Sequence, residues 1–158
     1  MLTEKQYELI GRITIAFNGI DFVMFLYTNH FLGTYEIEIA ERIGQSLFRF
    51  FAQRSRLFET VLTEVALRYP DLGTLIDAVK EAATEAEVVN KERTRIVHGL
   101  LIPSSTGTST LRHGNAPVPC SEAELSDVLQ RVRAVEDNLT FACEDLREAL
   151  NAKRPFSH

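Results

Sequence analysis

Apolar residues recur every three or four positions along most of this chain, a period that dictates helices packed on one another. From residue 10 the steps run Ile10, Ile13, Phe17, Ile20, Met24, Tyr27 and Phe31, one stripe down a helix of 3.6 residues per turn. Thr3-Glu4-Lys5-Gln6 ahead of it has the form of a capping box, in which the Thr and Gln side chains satisfy amides at the helix start. Gly33 marks the expected end. Ile15, Phe22 and Leu26 add a second apolar side. A helix apolar on two sides must bury both, in the middle of a bundle or against a second molecule.

The pattern continues. Ile39, Ile43, Leu47, Phe50, Leu57, Val61 and Val65 predict a helix from about Tyr35 to Tyr69, with Arg42, Arg49, Arg56 and Arg68 on its polar side and Gly44 as the place for a break. Pro70 ends it, because proline disfavours helix in the residue before it. A third helix begins near Asp71 or Thr74 and buries Leu72, Ile76, Val79, Ala83, Ala86 and Val89. The same rhythm extends to Arg93, Ile96 and Leu100, which puts Arg93 on or beside the inward seam. A guanidinium there needs a partner, and Asp21, alone in the most apolar helix, is the expected one. Pro103 stops the helical pattern, and residues 103–119 have loop composition with room for a short hairpin around Gly107, Thr108 to Arg112 forming one arm. Ser121-Glu122-Ala123-Glu124 is a second capping box. It opens a last helix with the stripe Leu125, Val128, Leu129, Val132, Val135, Leu139, Ala142, Leu146 and Leu150. The expected fold is all-α: an antiparallel bundle of about four helices with an extended loop or short hairpin before the last. One domain covers residues 1–152, the loop 103–119 lies within it, and a frayed tail occupies 153–158.

Composition narrows the partners. A chain of 158 residues with net charge −5 lacks the positive field that general binding to duplex DNA requires. Thirteen of its seventeen basic residues are Arg, the side chain suited to bidentate phosphate contact. The apolar run from Ile13 to Tyr27 is interrupted by Thr14, Asn18, Gly19 and Asp21 and falls short of the ~20 apolar residues of a membrane span, so no membrane partner is expected. Cys120 and Cys143 have no metal-ligand spacing and read as ordinary thiols of a cytoplasmic protein.

Reactive side chains crowd together in one stretch, Glu92-Arg93-Thr94-Arg95-Ile96-Val97-His98-Gly99. Cleaving RNA without a metal requires removing a proton from the ribose 2′-hydroxyl, giving one to the leaving 5′-oxygen, and stabilising the charge that builds on phosphorus. Histidine can perform either proton transfer near neutral pH, and arginine can hold phosphate oxygens through the transition state. Thr94 can position the His or the phosphate, and Arg95 adds a second cation for the backbone. Five residues of unbroken helix turn about 140° and rise about 7.5 Å, so Arg93 and His98 do not share a face, whereas Thr94 and His98 do. Convergence of Arg93 and His98 requires the reach of Arg93, unwinding near Gly99, or two copies building one cleft.

The Arg93-x4-His98 spacing followed by Gly99 resembles the signature of the HEPN superfamily, helical bundles that include metal-independent ribonucleases. Phe17-Asn18-Gly19-Ile20-Asp21 is similar to the aromatic-x-x-aliphatic-acidic entry of related bundles. The resemblance implies Arg93 and His98 as catalytic residues, Thr94 and Arg95 as substrate-positioning residues, no metal and no cofactor. It also implies RNA as substrate, a homodimer with the cleft between two bundles, and a protein antitoxin or regulator in a toxin–antitoxin or defence setting. Thr94 stands where the usual pattern has Asn, losing an amide that both donates and accepts. Leu100 stands where some toxin members carry a Tyr that a partner nucleotidyltransferase modifies, so that form of neutralisation is not carried over. The alternative is a non-catalytic dimeric bundle that binds RNA or a protein partner. Bland roles exist too: Arg93 pairing with a core carboxylate, and His98 capping a helix C-terminus. His30, near a helix end, is expected as a cap or edge residue, and His113, in the loop beside Arg112, is in reach of nucleic acid but expected to be solvated. Other chemistries lack their residues: there is no Glu-x-x-His pair for a di-iron bundle, no Lys beside His98 for phosphotransfer, and no Walker-type glycine loop.

Overall fold

Side chains of alternating three- and four-residue spacing do form the expected helices in a computed structural model, which describes residues 2–32, 50–103 and 109–153. Four α-helices are present among the described residues: α1 Glu4–Leu32, α2 Phe51–Arg68, α3 Gly73–Val97 and α4 Glu122–Lys153. A 3₁₀ turn, Pro70–Leu72, joins α2 to α3. Between α3 and α4 lies a three-stranded antiparallel sheet of β1 Leu100–Pro103, β2 Ser109–His113 and β3 Ala116–Val118, in that order. The protein is predominantly α-helical, a helical bundle carrying a small sheet.

Both capping boxes form. Thr3 Oγ1 accepts from Gln6 N–H at 3.1 Å while Gln6 Oε1 accepts from Thr3 N–H at 2.6 Å. Ser121 and Glu124 exchange the same pair of bonds at 3.2 and 3.0 Å, so each helix start has two otherwise unpaired amides satisfied.

The core is one cluster fed by all four helices and by Leu111 and Val118 of the sheet. From α1 it takes Ile13, Phe17, Ile20, Met24, Tyr27 and Phe31, and from α4 every expected stripe residue except Ala142, which is partly buried. Phe31 stacks on Phe58 of α2 at 6.2 Å, both fully buried. Burial of such a side chain is worth about 1.5–3 kcal/mol, which is where the bundle's stability comes from. Contacts fix directions. Thr3 meets Glu122, Gly19 abuts Glu136 and Tyr27 bonds Glu144, so α1 and α4 run the same way. Glu92 meets Arg131 and Asp71 meets Lys153, so α3 is antiparallel to α4, and the Ser55–Glu87 bond of 2.5 Å ties α2 to α3.

Several expectations are corrected in detail. The helix expected from Tyr35 to Tyr69 does not run unbroken: Phe50 is extended, with φ −150° and ψ 145°, and α2 starts at Phe51. Phe50 is consequently 67% exposed, and Phe51, Phe58 and Leu62 take the seam instead. Ile39, Ile43, Leu47, Gly33 and the break at Gly44 lie outside the described residues. Leu100 is not the last inward residue of α3 but the first of β1. The expected loop 103–119 holds two strands; the arm expected at Thr108 to Arg112 is β2, and Gly107 lies outside the described residues. Lys153 is not frayed: it is the last residue of α4 and is paired with Asp71. Lastly, α1 is long and apolar enough to cross a membrane, with mean hydropathy 1.6 over its best window, contrary to the expectation from Ile13–Tyr27 alone. In this fold its buried stripe packs on α2 and α4.

Candidate functional site

The end of α3 carries the motif. Arg93 lies on the inward side of α3, half-buried, with its guanidinium carbon 5.3 Å from the centre of the Phe17 ring. Phe17 is itself buried and meets Phe51 edge-on at 5.0 Å. A cation over an aromatic face is attracted by the ring quadrupole, by about 0.5–2 kcal/mol depending on desolvation. Arg93 Nε is buried and has no hydrogen-bond partner among the described residues. The expected partner is engaged elsewhere, because the Asp21 carboxylate is gripped by the forked guanidinium of Arg54 on α2. Arg93 enters no ion pair among the described residues.

Thr94 is half-buried and Arg95 is exposed. His98 is exposed at the α3 C-terminus, with φ −99° and ψ 5°, and its amide donates to the Thr94 carbonyl at 3.0 Å. A Cβ at Gly99 would stand 2.9 Å from the Arg95 carbonyl. The chain leaves the helix here so tightly that only glycine fits without a shift. Thr94 and His98 are therefore adjacent through the backbone. Arg93 and His98 are not brought together: the first turns towards α1, the second faces solvent, and no hydrogen bond joins them.

Grooves between α2 and α3, lined by Ser55, Lys80 and Glu87, and along α3 and α4, lined by Val88, Glu92, Arg131 and Phe141, include none of Arg93, Thr94, Arg95 and His98. Among the described residues no group of three or more His, Cys, Asp or Glu is placed to hold a metal ion. Cys120 and Cys143 form no disulfide, and burial pushes the Cys143 thiol well up from its ordinary value.

Arg112, expected in a hairpin arm, and His113, expected in a loop, are both exposed in β2, close to the α3 exit. Their sequence signal was the Thr108 to Arg112 arm. A second polar cluster had no local signal. Tyr27 donates to Glu144, which is paired with Arg147, and His30 lies edge-on to Tyr27 at 6.5 Å. Burial, then the bond to Glu144, holds the Tyr27 phenol up at about 12. Half-buried Glu136 abuts Gly19, and its carboxyl is held above its ordinary value by burial first and then by Asp137.

Compared with known proteins, the chain matches no family model, no curated protein and no solved structure.

Proposed function

We propose that this chain is a metal-independent endoribonuclease of the HEPN type that acts in the cytoplasm as a homodimer. The observation that carries the proposal is Arg93: a guanidinium braced on Phe17 with a buried Nε that no group satisfies among the described residues, five residues before an exposed His98. A desolvated donor without a partner is costly as a structural device and well suited to an anion that arrives later. In the reaction, the ribose 2′-oxygen bonds to phosphorus and the phosphorus–5′-oxygen bond breaks, leaving a 2′,3′-cyclic phosphate and a 5′-hydroxyl. His98 accepts the 2′-hydroxyl proton or supplies the one that the 5′-oxygen gains. Arg93 holds the non-bridging oxygens, Thr94 orients the His98 segment, and Arg95 binds a neighbouring phosphate.

A single chain points Arg93 and His98 in different directions, so the proposed cleft is completed by a second copy. Ile15, Phe22 and Leu26, exposed at 71, 60 and 46% along α1, supply an apolar face for that assembly. The second reading, a non-catalytic module, is favoured by the groove along α3 and α4, where Val88 and Phe141 are exposed at 59 and 69%. A protein antitoxin or regulator would bind there. Incubation of the purified protein with mixed RNA in EDTA, with product ends analysed, separates the two: the enzyme leaves 2′,3′-cyclic phosphate, and intact RNA would remove the catalytic reading.

A further inference from the structure

Between Glu92 and Glu122 the chain contains no acidic residue, yet this stretch holds Arg93, Arg95, His98, Arg112 and His113. Three of the seventeen Lys and Arg lie in it, so the other fourteen share the rest of the chain with all twenty-two carboxylates. The longest acid-free stretch of this acidic protein thus begins at the end of α3.

The sheet register sets the geometry. Leu100 pairs with Arg112 and His113 pairs with Ala116. Going back from Leu100, His98 is two residues away; going forward from Arg112, the β2–β3 turn at Gly114 is two residues away, with φ +63°. Arg112 is thus paired two residues past the helix end at His98. Contact at the exit is close, since a Cβ on Gly99 would sit 3.4 Å from Leu111 Cδ2. Leu111 and its partner Val118 face inward and are buried. Arg112, next along the strand, must point to the opposite face, where it is exposed, and His113 is exposed at the strand end. Neither is in an ion pair among the described residues.

We infer that the three-stranded sheet is a second part of the substrate surface, on which Arg112 and His113 bind the sugar-phosphate backbone of single-stranded RNA beside the cleavage site. This rests on the ribonuclease reading above and adds the residues that hold the strand away from the reacting phosphate. Residues 93–121 include no Phe, Tyr or Trp, so base stacking, the usual route to single-strand affinity, has no platform here. Binding is through phosphates and tolerates any sequence.

The probe is a 12-nucleotide single strand of 2′-O-methyl RNA, which lacks the nucleophile and reports binding without turnover. Its Kd is measured from 50 to 200 mM salt for wild type, Arg112→Ala/His113→Ala and Arg112→Lys. The double variant is expected to bind about 10-fold more weakly at 50 mM, with a salt slope lower by about 0.7 for each phosphate it no longer neutralises. Arg112→Lys keeps the charge and should retain most of the slope. Unchanged affinity and slope in the double variant would overturn the sheet surface while leaving the ribonuclease reading intact. Failure of the wild type to bind the strand at 50 mM salt would overturn both.

Discussion

Arg54 and Arg93 both turn towards the inside of this bundle, and they are treated differently. Arg54 on α2 meets the carboxylate of Asp21 in a two-pronged pair, with both side chains mostly shielded from water. Arg93 on α3 meets an aromatic ring, and its buried Nε has no hydrogen-bond partner among the described residues. The first arrangement satisfies its charge within the fold and accounts for a polar pair between two helices. The second leaves hydrogen-bonding capacity unused at the end of a helix, next to the exposed His98. On the proposed reading, Arg54 belongs to the architecture and is closed, whereas Arg93 is kept open for a ligand.

That contrast predicts opposite outcomes for removing each guanidinium or its partner. Arg93→Met keeps an apolar stem over Phe17 and deletes the unsatisfied donor. RNA cleavage should fall about 100-fold or more, the scale of losing one transition-state donor. Stability should stay within about 1 kcal/mol of wild type by urea titration, since no ion pair is broken. Asp21→Ala should do the reverse, stranding Arg54 between helices and costing about 3 kcal/mol of stability. A large stability loss in Arg93→Met would make the two arginines alike and break the comparison.

Tyr27 sharpens it from the closed side. Its phenol keeps its proton up to about pH 12, whereas an unfolded chain loses it near 10.0. The folded value is raised, so this contribution is complete below about pH 10 and is lost as pH climbs through about 12. Tyr27→Phe lacks that dependence, and its stability between pH 9 and 12 should decline less steeply in urea midpoints. The smallest effect is expected at Arg95, which is exposed and is proposed to bind only a neighbouring phosphate. Arg95→Ala should lower the salt slope of RNA binding by about 0.7, the value for one single-strand phosphate, and leave thermal stability unchanged.

How far these features were legible follows from how local each one is. The stripe of α1, the stripe of α4 and both capping boxes were visible because each is written within a few neighbouring residues. The break before α2 was not, since Phe50 and Phe51 are both apolar and either one continues a helical rhythm. Leu100 misled for the same reason: a strand that begins on the three-four beat is indistinguishable by period from one more helical turn. Gly99 was the available signal, because its tight exit past the Arg95 carbonyl explains why the helix stops there. Pro117 disguised β3, although proline is tolerated on an edge strand, which β3 is. At the candidate site, the inward placement of Arg93 could be read from the seam. Its lack of a partner could not, because whether Asp21 reaches Arg54 or Arg93 depends on how the helices cross.

The most direct test compares His98→Ala with wild type for RNA cleavage rate in EDTA, alongside thermal unfolding of both. His98 is exposed at a helix end, so its removal should leave the melting temperature within about 2 °C, the shift expected of a surface change of under 0.5 kcal/mol. The cleavage rate should drop at least about 100-fold, as loss of a general acid or base requires. Equal rates for the two proteins, with wild type active, would contradict catalysis at the end of α3.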